Sequence, residues 1–273
     1  MNQKKSVETV LTLLGKTAPR KALLDGGVTA WALQQAVASG SVSRSGRGVY
    51  SLPGADAFDM HLAQSLATLD CLSRAERMKL WVLHSPSQPH VATSHGRAVA
   101  GCVVHRVRGR ATFWDCLRHC LQCSSDMEAL CILESAVVLK KCTMAQYRRV
   151  FTKRKDARAR RIVDMIDMQS MSIAETCGRY QLRNAGYTVQ VQAYIKNAGH
   201  LDLLVDGVLG IEVDGQKYHN TPEGWVEDLR RDTMYVLNGV WRLRIPAAIV
   251  LYRPEIMLQW VEQALATIAS ARR

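Results

Sequence analysis

Gly199-His200-Leu201-Asp202-Leu203-Leu204-Val205-Asp206-Gly207-Val208-Leu209-Gly210-Ile211-Glu212-Val213-Asp214 is the stretch whose reading decides the fold. Two apolar runs flank Asp206-Gly207, a dipeptide that favours a two-residue turn, so the segment predicts a tight hairpin of strands 200–205 and 208–214. Glu212 and Asp214 stand two apart on one strand and share a face, with Asp202 across the hairpin. Carboxylates bracketed by apolar residues are costly to bury without a partner. The partner that converging carboxylates accept most readily is a hard divalent cation, Mg²⁺ first and Mn²⁺ as the alternative. Such an ion polarises a phosphodiester and acidifies an attacking water.

Outward from the hairpin the pattern continues in both directions. Residues 172–185 read as a helix, with Ser172 and Glu175 forming a capping box and Gly186 ending it. Residues 188–194 alternate like a strand. Thr221-Pro222 opens a helix that runs to Asn238, stopped by Gly239; 240–245 form another strand, and Pro254 opens a terminal helix. The order is α-β-β-β-α-β-α.

The N-terminus reads differently. Val7, Val10, Leu11 and Leu14 mark one helix face. Pro19 starts a short second helix ended by Asp25-Gly26-Gly27, and Thr29 caps a third that stops at Gly40. On that helix Ala30, Leu33 and Val37 form the inward stripe, leaving Trp31, Gln34 and Gln35 outward. Residues 42–44 and 49–52 then alternate like two strands around Ser45-Gly46-Arg47-Gly48. This is the order of a winged helix-turn-helix. Gln34 and Gln35 are suited to base edges, Arg44 and Arg47 to phosphates. Trp31 equally suits a protein-docking role.

The 273 residues are 48% apolar and 22% charged, which excludes wholesale disorder. No apolar run approaches the ~18–20 residues of a membrane-spanning helix, and no cleavable leader is evident, so the expectation is a cytoplasmic protein without membrane contact. The net charge of +12 is uneven. Residues 1–53 hold seven Lys and Arg against two Asp and Glu, a balance of +5; residues 54–170 hold 18 against 11, or +7. Residues 171–273 hold 11 against 11 and are neutral. Three domains follow: a winged helix (1–53), an α+β middle scaffold with a basic linker (54–170), and an α/β core (171–273).

The middle shows helical stretches over 58–70, 116–122, 127–138 and 144–151 around strands 91–93 and 101–105. His90, His95, His105 and His119 are isolated in sequence and show no catalytic spacing. Cys116, Cys120, Cys123 and Cys131 lack the paired knuckles of structural zinc sites and read as core at helical spacing. Lys153 to Arg161 is strongly basic, either a solvated helix or a phosphate-tracking linker.

Two resemblances sit on these residues. Val28-Thr29-Ala30-Trp31-Ala32-Leu33, Ser39-Gly40-Ser41-Val42 and Arg47-Gly48-Val49-Tyr50-Ser51-Leu52-Pro53 resemble the N-terminal winged helix of AbiEi-type antitoxins, which implies operator binding and autoregulation. Ala174-Glu175 with Arg179 and Leu182, Ala185-Gly186-Tyr187, Gly199 to Leu204, Ile211-Glu212-Val213-Asp214-Gly215 with His219, Asp228, Arg231 and Asp232, Leu237-Asn238-Gly239, and Leu243-Arg244 together resemble the PD-(D/E)XK nuclease core, in the branch related to very-short-patch-repair endonucleases. The resemblance implies that Asp202 and Glu212 hold the metal and that Asp214 stands where the commoner pattern has lysine, with Lys217 close by. It further implies that Glu175 approaches from the opening helix, His219 assists proton transfer, and Arg231 orients a carboxylate or contacts phosphate. The implied function is a Mg²⁺-dependent DNA endonuclease, a phage-defence or toxin–antitoxin effector held by a regulatory protein. The alternative is a non-enzymatic DNA-binding regulator with an inactive nuclease fold.

Overall fold

Ser6 and Thr29 set where the first and third helices begin, each hydroxyl accepting a first-turn backbone N–H at 3.1 Å, from Thr9 and Ala32 respectively. The computed structural model describes residues 6–215 and 222–272, without the side chains of Arg47 and residues 222–224. The chain packs as two compact units, Met1–Arg74 with Pro86–His119, and Ala75–Ser85 with Cys120–Arg273. Among the described residues it is mixed α/β, with three small sheets.

The first unit opens with α1 (Val7–Leu13), β1 (Thr17–Pro19), α2 (Arg20–Asp25), α3 (Ala30–Ala38), β2 (Ser43–Ser45) and β3 (Val49–Ser51). The strands form an antiparallel sheet in the order β1-β3-β2. Val7, Leu11, Leu23, Leu33, Val42 and Tyr50 meet in its core. Gly40 ends α3 with a φ of 74°, the left-handed backbone that glycine adopts without strain. The inward stripe of α3 is Leu33 and Ala36 with Val37 half-buried; Ala30, expected in it, is the first helical residue and is exposed. Strand β1 has no counterpart in the sequence reading, because three residues ending in proline carry no periodicity. Pairing fixes it: Thr17 faces Ser51, and their buried hydroxyls bond at 2.9 Å.

Four further elements of this unit are α4 (Ala57–Gln64), β4 (Ala67–Leu69), β5 (His90–Thr93) and β6 (Val103–Arg106). Between them α5 (Cys71–Arg77) crosses to the second unit, as does α6 (Phe113–Cys123) afterwards. The helix expected over 58–70 ends at Gln64, because Leu66 turns the backbone at φ 52° and Ala67–Leu69 pairs antiparallel with β5. Strands β5 and β6 are parallel.

The second unit holds α7 (Asp126–Val138), α8 (Met144–Val150), α9 (Ala157–Asp164), α10 (Ile173–Asn184), β7 (Val189–Ile195), β8 (Gly199–Val205), β9 (Leu209–Asp214), α11 (Pro222–Leu237), β10 (Trp241–Pro246), α12 (Ala247–Tyr252) and α13 (Pro254–Ala271). Its sheet runs β10-β9-β8-β7, antiparallel except for the parallel β9–β10 pair that α11 connects. The α-β-β-β-α-β-α order read from the sequence is present, with α12 added. Leu203, Val205, Leu209 and Ile211 pack one sheet face against Cys177 and Leu182 of α10, Val250 of α12 and Met257 and Val261 of α13.

The segment read as one middle scaffold is shared between the units. Cys131 of α7 lies in the same core as the four-stranded sheet, and Glu134 of α7 forms a fully buried ion pair with Arg179 of α10. Glu134 also accepts from Thr176 and from the Asp167 N–H, and Arg179 donates to the Met165 carbonyl at 2.7 Å. Nor is the basic stretch a linker. Ala159, Ile162 and Val163 of α9 are buried, Arg158 and Arg161 both pair with Asp126, and Arg160 bonds the carbonyls of Phe151 and Lys153. None of the eight cysteines is in a disulfide. Cys116, Cys120 and Cys131 are core residues as read, but Cys123, at the end of α6, is exposed. Among the described residues no helix is long and apolar enough to cross a membrane.

Candidate functional site

The hairpin's register decides where its acids stand. Asp206 and Gly207 take positive φ angles of 49° and 71°, and the Val208 N–H closes the turn on the Val205 carbonyl at 3.1 Å. The ladder, however, pairs Val205 with Leu209, leaving Val208 outside it, then Leu204 with Gly210 and Leu203 with Ile211. The connection is therefore one residue longer than the two-residue turn expected. That extra residue matters, since a one-residue slip moves every side chain to the other face. Continued by one step, the observed register sets Asp202 level with Glu212. There the ladder stops, and the Asp202 carboxylate accepts the Val213 N–H at 2.8 Å.

Glu212 is buried and heavily bonded. Its Oε1 accepts from Arg231 at 2.8 Å and from the Tyr235 hydroxyl at 3.0 Å, both on α11; its Oε2 accepts from Arg242 of β10 at 2.9 Å. Arg231 also donates to the carbonyls of Ala198 and His200 and to the Tyr235 hydroxyl, which fixes its guanidinium against the Glu212 carboxylate. Asp214, two residues on from Glu212, is held by both faces of the Arg244 fork, at 2.8 and 3.0 Å. Asp232 pairs with Arg242, and Asp228 with Arg244 at 3.4 Å. Arg242 and Arg244 thus stand two apart on β10, and each reaches the acid two places further along β9 than its register partner.

Glu175 comes from the first turn of α10. Ser172 caps that helix by accepting the Glu175 N–H at 3.2 Å. The glutamate carboxylate reaches one residue further back than the capping box requires, to the Met171 N–H at 2.9 Å, and Gln192 of β7 donates to it at 3.3 Å. Burial raises the Glu175 pKa, and the charge of Asp202 adds to the rise against the opposing hydrogen bonds. Asp202 is raised as well, first by burial and then by the charge of Glu212, outweighing the Val213 hydrogen bond and the field of Arg231. The charge of Asp202 thus acts on Glu175, and that of Glu212 on Asp202. Among the described residues, neither Glu175, Asp202 and Glu212 nor Asp202, Glu212 and Asp214 form a set whose ligand oxygens all lie within 4.8 Å of one another. His219 and the nearby Lys217 lie outside the described residues.

On the first unit, Gln34 and Gln35 are exposed on α3, as read, and Arg44 is exposed on β2. Arg20, Gln34, Arg44 and Tyr50 line one groove between α3 and the β2–β3 strands, with the Arg44 guanidinium 5.9 Å over the Tyr50 ring. The Arg47 side chain lies outside the described residues. The sequence reading missed Tyr235 and Arg242. The available signal was the Arg242-Leu243-Arg244 alternation, which repeats the two-residue spacing of Glu212-Val213-Asp214 with opposite charge. Compared with protein-family models, with curated proteins and with solved structures, the chain matches none.

Proposed function

We propose that this protein is a metal-dependent DNA endonuclease, with Glu175, Asp202 and Glu212 as its acidic site and the N-terminal module supplying affinity for DNA. The observation that carries the reading is the pair Glu175 and Asp202. They come from separate elements, are mostly shielded from water, and are held close enough for the charge of Asp202 to raise the Glu175 pKa. Holding such groups together is costly, and an acid whose pKa is raised by burial and a neighbouring charge is a candidate for a functional site. The α-β-β-β-α-β order, with its parallel β9–β10 pair, supports a PD-(D/E)XK-like core.

Glu175, Asp202 and Glu212 offer oxygen donors, the class that Mg²⁺ and Mn²⁺ take. Holding an ion between them needs the carboxylates to draw together and Glu212 to release an arginine, since its two oxygens already accept from Arg231 and Arg242. Asp214 is clasped by Arg244. When bound, the ion supplies polarisation of the phosphodiester and acidification of water. The chain's own contribution is positional. Val213 orients Asp202, Met171 and Gln192 orient Glu175, and Arg231, Tyr235 and Arg242 hold Glu212. His219 remains the residue proposed for proton transfer. In the groove between α3 and the wing, Gln34 faces bases while Arg20 and Arg44 neutralise phosphates. Purified protein with Mg²⁺ or Mn²⁺ is expected to cut single- or double-stranded DNA, and Asp202→Asn and Glu175→Gln to abolish cutting. Intact DNA in every condition, or equal cutting by Asp202→Asn, sinks the reading.

One observation favours a second function, a DNA-binding regulator of the antitoxin kind. Glu212 and Asp214 are already neutralised by Arg231, Arg242 and Arg244, as the acids of an inactive core would be. That reading predicts DNA binding that survives loss of the acids and weakens with Arg44→Ala, without cleavage. A defence or toxin effector restrained by a protein partner is a variant of the first reading; it predicts toxicity on expression that Glu212→Ala removes.

A further inference from the structure

Three elements of the first unit bring soft and borderline metal donors to one place. In the parallel pairing of β5 and β6, His90 is level with Val103 and Ala92 with His105, so both histidines lie on one sheet face, a diagonal step apart. His90 Nδ1 and His105 Nε2 are 3.1 Å apart. The Sγ of Cys71, at the start of α5 directly after β4, lies within 4.8 Å of a ring nitrogen of each. Cys71 is fully buried and His90 nearly so.

A second group stands behind these donors. The His119 ring stacks on His105 with centroids 4.3 Å apart and planes 16° from parallel. Its Nδ1 bonds Asp70 Oδ2 at 2.5 Å. Asp70 is fully buried, and its other oxygen, Oδ1, has no hydrogen-bond partner among the described residues. A buried carboxylate oxygen left unpaired is expensive.

We infer that Cys71, His90 and His105 form a binding site for a borderline transition-metal ion, Zn²⁺ foremost, which ties the β4–α5 junction to β5 and β6. Tetrahedral Zn²⁺ with ordinary bond lengths sets two imidazole nitrogens about 3.3 Å apart and a nitrogen and sulfur about 3.6 Å apart. The observed nitrogen pair is close to that separation. A hydrogen bond between two imidazoles also accounts for 3.1 Å, but not for the thiol at the same point or the unpaired oxygen of Asp70 beside it. A positive ion offsets both, and the Asp70–His119 pair stacked on His105 supplies the outer support that fixes a ligand ring. Thiol and imidazole donors exclude Mg²⁺ as the preferred ion, so this site is chemically separate from the carboxylates of the second unit. The role is structural. The apolar cluster around these strands is small (Leu62, Ala67, Val91 and Val99), and metal binding adds directly to folding free energy.

The full chain, stripped with a chelator and equilibrated with Zn²⁺, tests this by elemental analysis, and with Co²⁺ by its thiolate charge-transfer absorption. The expected result is one tightly held Zn²⁺ per chain, a cobalt–thiolate band, and a melting temperature restored by Zn²⁺ but not by Mg²⁺. Cys71→Ser and His105→Ala should each weaken Zn²⁺ binding at least about tenfold, while Cys102→Ser and Asp202→Asn leave it unchanged. Because Cys71 is buried and its replacement can unfold the unit, His90→Cys serves as the conservative variant and should keep the ion with a stronger cobalt–thiolate band. Failure of the wild-type chain to hold Zn²⁺, undiminished binding by folded Cys71→Ser, or loss of binding in folded His90→Cys overturns the inference.

Discussion

The carboxylates of the four-stranded sheet and the cysteine–histidine cluster of the β4–β5–β6 sheet are held by opposite means. On β8 and β9 the acids lie close in sequence and are met by arginines from α11 and β10, so that Glu212 and Asp214 are neutralised within the chain. Around Cys71 the donors come from distant parts of the sequence, and one oxygen of the neighbouring buried acid, Asp70, has no hydrogen-bond partner among the described residues. The contrast separates two ideas that net charge merges. A concentration of acids is not by itself a demand for a cation, because a protein can supply its own. The demand sits where compensation is incomplete: on Glu175 and Asp202 in one unit, and at the Oδ1 of Asp70, unpaired among the described residues, in the other. Among the described residues of the final third, the acids of β9 are therefore balanced by arginines, and Glu175 and Asp202 form its uncompensated corner.

The largest expected effect tests the frame that holds the acids. Arg179 and Glu134 are both fully buried, and removing one partner leaves a buried charge alone. Arg179→Met should cost about 3–5 kcal/mol in urea unfolding, with Glu134→Gln milder. A change below about 1 kcal/mol would mean that α7 and α10 are not locked by this pair.

Next in size is the separation of the two metal chemistries. Asp202→Asn should lower cleavage by about 10³-fold, the scale set by losing a preorganised charge in a site, while Zn²⁺ content stays at the wild-type level. If zinc is lost together with cleavage, the two sites are not independent and the contrast fails. Arg242→Met should act more weakly, by about 10–100-fold on kcat with little change in KM, because Arg242 supports Glu212 rather than substrate. A rise in KM alone would place Arg242 against the nucleic acid instead.

What the sequence disclosed follows the range of each interaction. Caps and turns are local, so Ser172, Thr29 and Gly40 could be read directly, and so could the hairpin that carries Asp202 and Glu212. Its register could not: Asp206-Gly207 has the torsions expected of it, yet the ladder leaves Val208 unpaired, a choice made by the packing of Leu203 and Ile211. The neutralisation of Glu212 depends on β10 lying parallel to β9 after the whole of α11, which no spacing rule reports. The same holds for His90 and His105. Isolated in sequence, they become neighbours only because β5 and β6 pair in parallel. Strand β4, read as the end of a helix, was hidden because Leu66 breaks that helix through a left-handed torsion unusual for leucine.

The smallest effect is the one that bears most directly on the uncompensated corner. Both Glu175 and Asp202 are raised above their ordinary values of 4.5 and 3.8, so the fold favours their protonated forms. Their contribution to stability is fully present below those ordinary values and is lost as the pH rises through the raised ones. At neutral pH, without metal, the two carboxylates therefore oppose folding. Asp202→Asn removes one charge from the pair while keeping its shape. Thermal melts in chelator should give similar Tm values for wild type and Asp202→Asn near pH 4, diverging by pH 7 with the variant a few degrees higher. Mg²⁺ at neutral pH should close that gap by stabilising the wild type alone, since only a folded state with a charged site binds it. If the two proteins melt together at both pH values, the acids are not in conflict. A cation then has nothing to relieve at this corner, and the DNA-binding regulator becomes the better account of the same residues.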